Sequence, residues 1–342
     1  MEETMKKDPA ALGFGYHPTP YRYVAHYADG AWDAGGLTTD SEVRLSESAC
    51  VLQYAQTVFE GLKAYRTVDG RLVCFRPDLN AARLSDSCRR MCIPPLPDGQ
   101  FLDAVRAVVA ADRDCVPPYG SGASLYLRPF VFGTTPVVGV KPAKEFEFRL
   151  FATPVGPYFA GGVRPLSLRV ADYDRAAPHG TGHIKAGLNY AMSLYPLTEA
   201  HEEGYDENIY LDAATRRTVE ETGGANLLFV TCAGTLVTPR SPSILPSITR
   251  RSLLYVAEHI LGIPVEERPV AISELDDFAE CGLCGTAAVI SPVGAVTYAG
   301  RRVTFPYRDG EMGPVTRRLL DTLRGIQLGT VPAPAGWLLE IG

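Results

Sequence analysis

The stretch HGTGHIKAGLNYAMSL, residues 179–194, places one lysine, Lys185, among small residues and directly before a predicted helix. A lysine ammonium is strongly hydrated, so lysine is usually a surface residue. Gly182, Ala186 and Gly187 leave room for a bulky ring against this backbone. In a desolvated pocket a neutral lysine amine can form a Schiff base with an aldehyde. Taken alone, the stretch is more typical of a loop lysine that extends into solvent.

Strand and helix signals alternate on both sides of this stretch, without an internal repeat. Strands are predicted over 71–77, 124–133, 146–156, 166–173, 207–212 and 287–293, with a hairpin over 226–239. Helices are predicted over 77–91, 101–114, 189–203, 247–262 and 313–327. The Gly- and Pro-rich segment 156–165 interrupts the pattern. We therefore expect an α/β (α+β) fold with a domain at 1–155, a linker at 156–165 and a domain at 166–342.

Composition narrows the class of protein. The chain has 342 residues, 46% of them hydrophobic, and a formal net charge of −6, which argues against a surface for nucleic acid or anionic membrane. No window has the length and apolarity of a membrane span, and the N-terminus lacks a signal-peptide core. Eight cysteines are too sparse for a disulfide scaffold. The expectation is a cytoplasmic enzyme that acts on small molecules.

Three further groups carry chemistry. Glu221, before Gly223 and Gly224, can bring an acid to a planar heterocycle, although with Glu220 it is also typical of exposed acids on a hairpin. The start of the helix at Ser247 can bind a phosphate through free amides and the helix dipole, although Ser247 also suits a plain helix cap. A Gly-Thr turn at 285–286 and the guanidinium of Arg76 are further candidates for phosphate binding.

Other site patterns are absent from the sequence. No segment fits the P-loop, no G-x-S-x-G elbow occurs, and the six histidines form no H-E-x-x-H motif. Cys281 and Cys284 have no second pair at zinc-finger spacing, so no metal is expected. A Schiff-base amine, an acid for a ring nitrogen and a phosphate cup are together what pyridoxal phosphate requires.

The chain also resembles a known family. The blocks YAQTVFEGLKAYR, FRPDLNAARL, LYLRPFVFGTTPVVGVKPAKEF, ATPVGPYFAGGVRP, RAAPHGTGHIKAGLNYAMSL, YLDAATRRTVEETGGANLLFV, SILPSITRRSLL and ECGLCGTAAVISPVG occur in this order. They closely resemble the bacterial branch of the branched-chain amino acid aminotransferases, which are pyridoxal-phosphate enzymes of fold type IV. The resemblance implies a small N-terminal domain, a larger C-terminal domain with the cofactor in the cleft between them, and a homodimer or larger homo-oligomer.

The resemblance assigns the residues that hold the cofactor. Lys185 matches the lysine that forms the Schiff base, Glu221 the acid on the pyridine nitrogen, and Tyr190 the tyrosine that hydrogen-bonds O3′. The phosphate cup is matched by Arg76, Ile248, Thr249 and Thr286.

The substrate residues follow in the same way. The region for the α-carboxylate is matched by Gly61, Tyr126, Arg128 and the Thr286-Ala287 amides. The apolar wall for the branched side chain is matched by Tyr54, Phe59 and Tyr190. Tyr158 belongs to the segment that resembles the loop closing over the substrate.

Two positions depart from the family pattern. Ala288 and Ser291 stand where animal members have a redox Cys-x-x-Cys, so the sequence does not predict that switch. Gly224 stands where those members have a threonine.

The resemblance implies transfer of the amino group of leucine, isoleucine or valine to 2-oxoglutarate by a ping-pong mechanism, which yields a branched 2-oxo acid and glutamate. Three alternatives stay open. One keeps the fold but is a D-amino-acid aminotransferase or an aminodeoxychorismate-type lyase. The second is a non-catalytic protein that binds pyridoxal phosphate. The third is a zinc-stabilised interaction module.

Overall fold

The structure is a computed structural model that describes Pro9 and residues 12–157, 163–305 and 312–342. The chain divides into two compact units. One consists of Met1–Ala160, Ile184–Gly187 and Gly325–Gly342, and the other of Gly161–His183 and Leu188–Arg324. Residues 158–162 of the predicted linker, including Tyr158, lie outside the described residues. The boundary between domains 1–155 and 166–342 therefore stays a prediction.

An antiparallel sheet forms the first unit. Its strands are β1 (Arg22–Ala28), β2 (Ala31–Trp32), β3 (Gly36–Thr38), β4 (Thr57–Phe59), β5 (Leu62–Arg66), β6 (Leu72–Phe75), β7 (Ser124–Gly133), β8 (Phe146–Val155) and β18 (Leu338–Ile341). They lie in the order β18-β6-β5-β7-β8-β1-β2, with β3 paired to β1 and β4 to β7. The predicted strands at 71–77, 124–133 and 146–156 are confirmed.

Among the residues that the structure describes, the first unit contains the helices α1 (Cys50–Tyr54), α2 (Pro77–Arg90) and α3 (Asp98–Ala111), and α3 is followed by a 3₁₀ turn at Arg113–Cys115. Helix α3 packs on β8 and β1. Its Phe101 is buried against Phe148, with ring centroids 6.3 Å apart. The apolar spacing that predicted a helix over 101–114 thus marks the face of α3 that meets the sheet.

A second sheet forms the other unit. Its strands are β9 (Leu166–Val170), β10 (Glu207–Leu211), β11 (Val219–Thr222), β12 (Asn226–Thr231), β13 (Leu236–Pro239), β14 (Val265–Arg268), β15 (Phe278–Gly285), β16 (Val289–Tyr298) and β17 (Arg301–Thr304). Because β11 pairs with both β10 and β12, the strands β11-β10-β9-β16-β15-β12 form a closed ring of pairings. Its buried apolar cluster includes Leu168, Leu227 and Phe229.

Two helices follow Lys185, α4 (Gly187–Met192) and α5 (Leu194–Glu202). The single helix predicted over 189–203 is therefore wrong. The break falls at Ser193, whose hydroxyl donates to the carbonyl of Asn189 at 3.3 Å, a local bond of the kind that disturbs a helix. Gly204, with φ of +84°, ends α5 as predicted.

The remaining helices are α6 (Ile248–Tyr255), continued by a π turn at Val256–Ile260, a 3₁₀ helix at Ile272–Asp277, and α7 (Pro314–Leu328). Within the described ranges, no helix combines the length and apolarity needed to cross a membrane.

Candidate active site

Main-chain contacts on both sides fix Lys185 in the first unit. Its N–H donates to Ser87 Oγ at 3.0 Å, and its carbonyl accepts from the N–H of Phe59 at 3.0 Å. The next residue, Ala186, forms an isolated antiparallel bridge with Val58. The Lys185 ammonium lies 4.7 Å from the centroid of the Phe59 ring. The lysine is thus half-buried on a strand-like segment held against β4, and not on a free loop.

Three residues of the predicted carboxylate region, Gly61, Tyr126 and Arg128, form one cluster in the first unit. Arg128 Nη2 donates to the Tyr126 hydroxyl at 3.1 Å, and its guanidinium lies 4.9 Å from the Phe59 ring centroid. A Cβ placed on Gly61 would lie 2.0 Å from the Tyr126 hydroxyl oxygen. Only glycine therefore lets this tyrosine approach the backbone so closely. Cation, hydroxyl and glycine backbone together make a site suited to a small anion.

Arg76 lies where strand β6 gives way to helix α2. It is the N-cap of α2 and has a left-handed backbone, with φ of 47° and ψ of 47°. Its N–H donates to the Trp337 carbonyl at 2.8 Å, and its guanidinium lies 4.4 Å from the Trp337 ring centroid. Trp337, directly before strand β18, thus helps to hold the predicted phosphate arginine.

Tyr54 belongs to helix α1 of the first unit. It is the last residue of α1, is 37% exposed, and donates its hydroxyl hydrogen to the carbonyl of Val138. Its predicted role in the substrate wall stays a prediction.

Glu221 lies in a polar network within the second unit. Its Oε1 accepts from the Leu245 N–H at 2.8 Å and lies 2.8 Å from Arg175 Nη2, and its Oε2 accepts from Asn226 Nδ2 at 2.7 Å. Both Glu221 and Arg175 are buried. Burial raises the pKa of the Glu221 carboxyl to about 7, although Arg175 acts to lower it. Both oxygens of the Glu221 carboxyl thus have polar partners, while burial disfavours the charged form of the carboxyl.

The predicted phosphate residues of the second unit lie at two chain reversals. Ile248 and Thr249 are the first residues of α6 and are buried, and Ser247 caps the helix by accepting from the Arg250 N–H at 3.2 Å. First-turn amides lack partners within their own helix and favour an anion. Thr286 and Ala287 form the turn between β15 and β16. Helix α6 packs on β15, the strand that leads into the second reversal.

Tyr190 lies on α4 and is half-buried. The preceding Asn189 fixes this helix by donating to the Thr181 carbonyl and accepting from the Thr181 hydroxyl, both at 2.8 Å. At the end of α4, Ser193 lies close to the turn after Glu221, since a Cβ on Gly223 would lie 3.2 Å from Ser193 Cβ. The helix of Tyr190 and the strand of Glu221 are therefore neighbours.

Three comparisons place the chain among known proteins. The family model of class IV amino-transferases matches residues 57–296. A branched-chain-amino-acid aminotransferase of Haemophilus influenzae is 49% identical over 335 residues, covering 96% of this chain and 97% of the relative. The chain belongs to the class IV aminotransferase family.

Solved structures agree with this assignment. The branched-chain amino acid aminotransferase of Escherichia coli has a TM-score of 0.78 at 28% identity and covers 95% of this chain and 100% of its own. The holo-form of the Thermobaculum terrenum enzyme, with PLP, has a TM-score of 0.78 at 25% identity and covers 95% and 99%. The predicted fold type IV architecture is confirmed.

Sequence reasoning missed an important residue of this class IV aminotransferase. Arg175 binds Glu221 and also donates to the carbonyls of Gly182, at 3.2 Å, and Ser243. One guanidinium therefore links the predicted ring acid to the loop before Lys185 and to the segment before α6. Arg175 is the first residue of the block RAAPHGTGHIKAGLNYAMSL, ten residues before Lys185. No local spacing in the sequence indicates that its partner is Glu221.

The alternative of exposed acids on a hairpin is wrong. Glu220 is buried, and its two carboxylate oxygens accept from the hydroxyls of Ser241 at 2.6 Å and Ser243 at 2.7 Å. Glu221 is buried on the other side of the same strand. Both acids therefore serve internal contacts.

The two cysteines before the Gly-Thr turn are buried. Burial raises the pKa of the Cys281 thiol, and raises that of Cys284 to about 12. In the part of the chain that the structure describes, no group of three or more His, Cys, Asp or Glu residues could hold a metal ion.

Proposed function

We propose that this class IV aminotransferase transfers the amino group of L-leucine, L-isoleucine or L-valine to 2-oxoglutarate with pyridoxal 5′-phosphate as cofactor. The reaction is ping-pong and yields a branched 2-oxo acid and glutamate. The observation that carries the proposal is the buried Glu221 carboxyl, held by Arg175, Leu245 and Asn226, in a chain 49% identical to a branched-chain-amino-acid aminotransferase. A buried acid of this kind suits a ring nitrogen that must keep its proton.

The donor set fits the cofactor. Pyridoxal phosphate supplies an aldehyde that accepts the amino group and a ring that draws electrons from the substrate Cα. The Lys185 amine would hold the aldehyde carbon, and after its displacement by substrate it would be the base that moves the proton away from Cα. The fixed main chain of Lys185, bound to Ser87 and Phe59, restricts the region that this amine can reach.

The resemblance indicates which residues would orient the cofactor. Glu221 would pair with the ring nitrogen, and Tyr190 would donate to O3′. The phosphate would be bound by the Arg76 guanidinium, the first amides of α6 at Ile248 and Thr249, and the hydroxyl of Thr286.

The resemblance also indicates which residues would orient the substrate. The α-carboxylate binds to Arg128, Tyr126, the Gly61 backbone and the Thr286-Ala287 amides, while Phe59, Tyr54 and Tyr190 contact the branched side chain. An apolar wall discriminates only modestly between side chains that differ by one methylene. All three branched-chain amino acids are therefore expected as substrates.

The test is glutamate formation from L-leucine and 2-oxoglutarate by wild type, Lys185→Ala and Lys144→Ala. Lys144 is an exposed lysine of the same unit and serves as the matched control. We expect activity in wild type and Lys144→Ala and its loss in Lys185→Ala. Full turnover by Lys185→Ala contradicts the assignment of the lysine. Turnover of D-amino acids alone, or release of a product without amino transfer, favours the related aminotransferase or lyase.

The proposal includes a homodimer or larger homo-oligomer in the cytoplasm. It rests on the family resemblance and on the absence of a spanning helix among the described residues. Analytical ultracentrifugation tests the oligomeric state, since a monomer of 37.0 kDa at micromolar concentration contradicts a homodimer or larger homo-oligomer. Cell fractionation tests the cytoplasmic location.

A further inference from the structure

Helix α2 carries a stripe of polar residues that face the candidate site. Arg76 caps the helix, and Asn80, Arg83 and Ser87 follow at spacings of four, three and four residues, which places them on one helical face. Arg76 is a proposed phosphate ligand, and Ser87 binds the main chain of Lys185. The two middle residues, Asn80 and Arg83, have no part in the proposed mechanism.

Asn80 and Arg83 both bind Glu60, which is fully buried. Arg83 donates from Nε to Oε1 and from Nη2 to Oε2, each at 2.7 Å, and Asn80 Nδ2 donates to Oε2 at 2.7 Å. A buried ion pair is often no more stable than a pair of apolar side chains of similar volume. Stability alone therefore does not explain a charged pair at this place.

The position of Glu60 in the chain suggests what the pair does. It lies between Phe59, whose N–H donates to the Lys185 carbonyl at 3.0 Å, and Gly61, which lies against Tyr126. The Gly61 N–H donates to Glu60 Oε2 at 3.2 Å, and Asn80 Nδ2 reaches the Gly61 carbonyl at 3.4 Å. The network thus binds both the N–H and the carbonyl of Gly61, a residue of the predicted carboxylate region.

We propose that Glu60 is a positioning residue for transamination, because with Arg83 and Asn80 it locks helix α2 onto residues 59–61. Helix α2 also holds Lys185 through Ser87, so the lock sets the spacing between the reactive amine and the carboxylate-binding cluster. The inference rests on the proposed function. Misplacement of reacting groups by about 1 Å can lower a rate by about 100-fold, so loosening this lock is expected to act mainly on kcat.

The experiment removes the charged pair while keeping the volume, in the double variant Glu60→Leu/Arg83→Met. The matched control is Asp86→Leu/Arg89→Met, which removes an exposed ion pair of 2.9 Å from the same helix. Three quantities are measured for each protein: the melting temperature of the apoprotein, the Kd for pyridoxal phosphate from an absorbance titration, and kcat and KM for L-leucine. The first two report folding and cofactor binding without turnover.

We expect the double variant to melt within a few degrees of wild type, to bind the cofactor with a Kd within about threefold, and to lose about 100-fold in kcat. The control should match wild type in all three. Wild-type kcat in the folded double variant overturns the proposal. If the double variant does not fold, Glu60→Asp replaces it in the test, because this change keeps the charge and shortens the side chain. Wild-type kcat in Glu60→Asp also overturns the proposal.

The measurements separate this inference from the proposed function. A wild-type protein that does not transaminate L-leucine contradicts the function and this inference with it. A wild-type protein that transaminates, beside an equally active double variant, contradicts the positioning role alone.

Discussion

The buried carboxyl of Glu221 is expected to make the apoprotein less stable as pH rises from about 4.5 to about 7, and Glu221→Gln is expected to remove this loss. Burial raises the folded-state pKa of the group above its ordinary value of 4.5, to about 7. Between these pH values the unfolded chain releases the proton while the folded chain keeps it. The folded state therefore loses free energy relative to the unfolded state as pH rises.

The size of the effect follows from the pKa shift. One pKa unit corresponds to about 1.4 kcal/mol, so a rise from 4.5 to about 7 predicts a loss of about 3 kcal/mol. The stabilising contribution is fully present below pH 4.5 and is lost once pH passes 7. Arg175, at 2.8 Å, reduces the shift but does not reverse its sign.

The assay is urea unfolding of the apoproteins of wild type and Glu221→Gln between pH 4 and pH 8. Loss of hydrogen bonds in Glu221→Gln changes its free energy of unfolding by an amount that does not depend on the Glu221 proton. The informative quantity is therefore how the difference in free energy of unfolding between wild type and Glu221→Gln changes with pH. Glu202→Gln, at an exposed site in the same unit, controls for the loss of one carboxyl. A difference that stays constant within about 1 kcal/mol would refute the reasoning, since Arg175 would then compensate burial fully.

Three further substitutions test other parts of the structure. Gly61→Ala places a Cβ 2.0 Å from the Tyr126 hydroxyl oxygen, so KM for L-leucine should rise about tenfold or more in steady-state assays; an unchanged KM contradicts the assigned carboxylate region. Glu280→Gln weakens the buried contacts to the Thr316 N–H and hydroxyl at the start of α7, and should lower the free energy of unfolding by about 1–3 kcal/mol. Ser247→Ala removes the N-cap of α6 and should lower the free energy of unfolding, measured in urea, by about 1 kcal/mol. An unchanged free energy of unfolding would mean that another group accepts from the Arg250 N–H in place of Ser247.

Local signals in the sequence predicted the elements that depend on local contacts. Pro77 is the first residue of α2, and the hydroxyl of Ser247 caps α6, because both effects act within one helical turn. The alternation of apolar residues predicted the long strands β7 and β8. The mixed α/β fold and the family were predicted correctly, since the conspicuous motifs run along nearly the whole chain.

Features that depend on distant contacts were not predicted. The Arg175–Glu221 pair joins residues far apart in the chain, and periodicity carries no information about such pairs. The predicted exposure of Glu220 is wrong for this reason, because its partners Ser241 and Ser243 belong to another segment. One local feature was also missed: the Ser193 hydroxyl donates to the Asn189 carbonyl at the break between α4 and α5, where the sequence is typical of a continuous helix.

The structure gives each predicted site residue a defined place, but their roles toward cofactor and substrate stay predictions. Phe59, Gly61, Tyr126 and Arg128 come together in the first unit as the motifs implied. The roles of the other residues require a bound cofactor and substrate to test.

The most direct test of the central claim is the absorption spectrum of the purified protein with its cofactor, before and after L-leucine is added without 2-oxoglutarate. We expect L-leucine to convert the aldehyde form of the cofactor to its amine form, and D-alanine to leave it unchanged. A spectrum that is unchanged by L-leucine, or that changes only with D-alanine, would contradict the account.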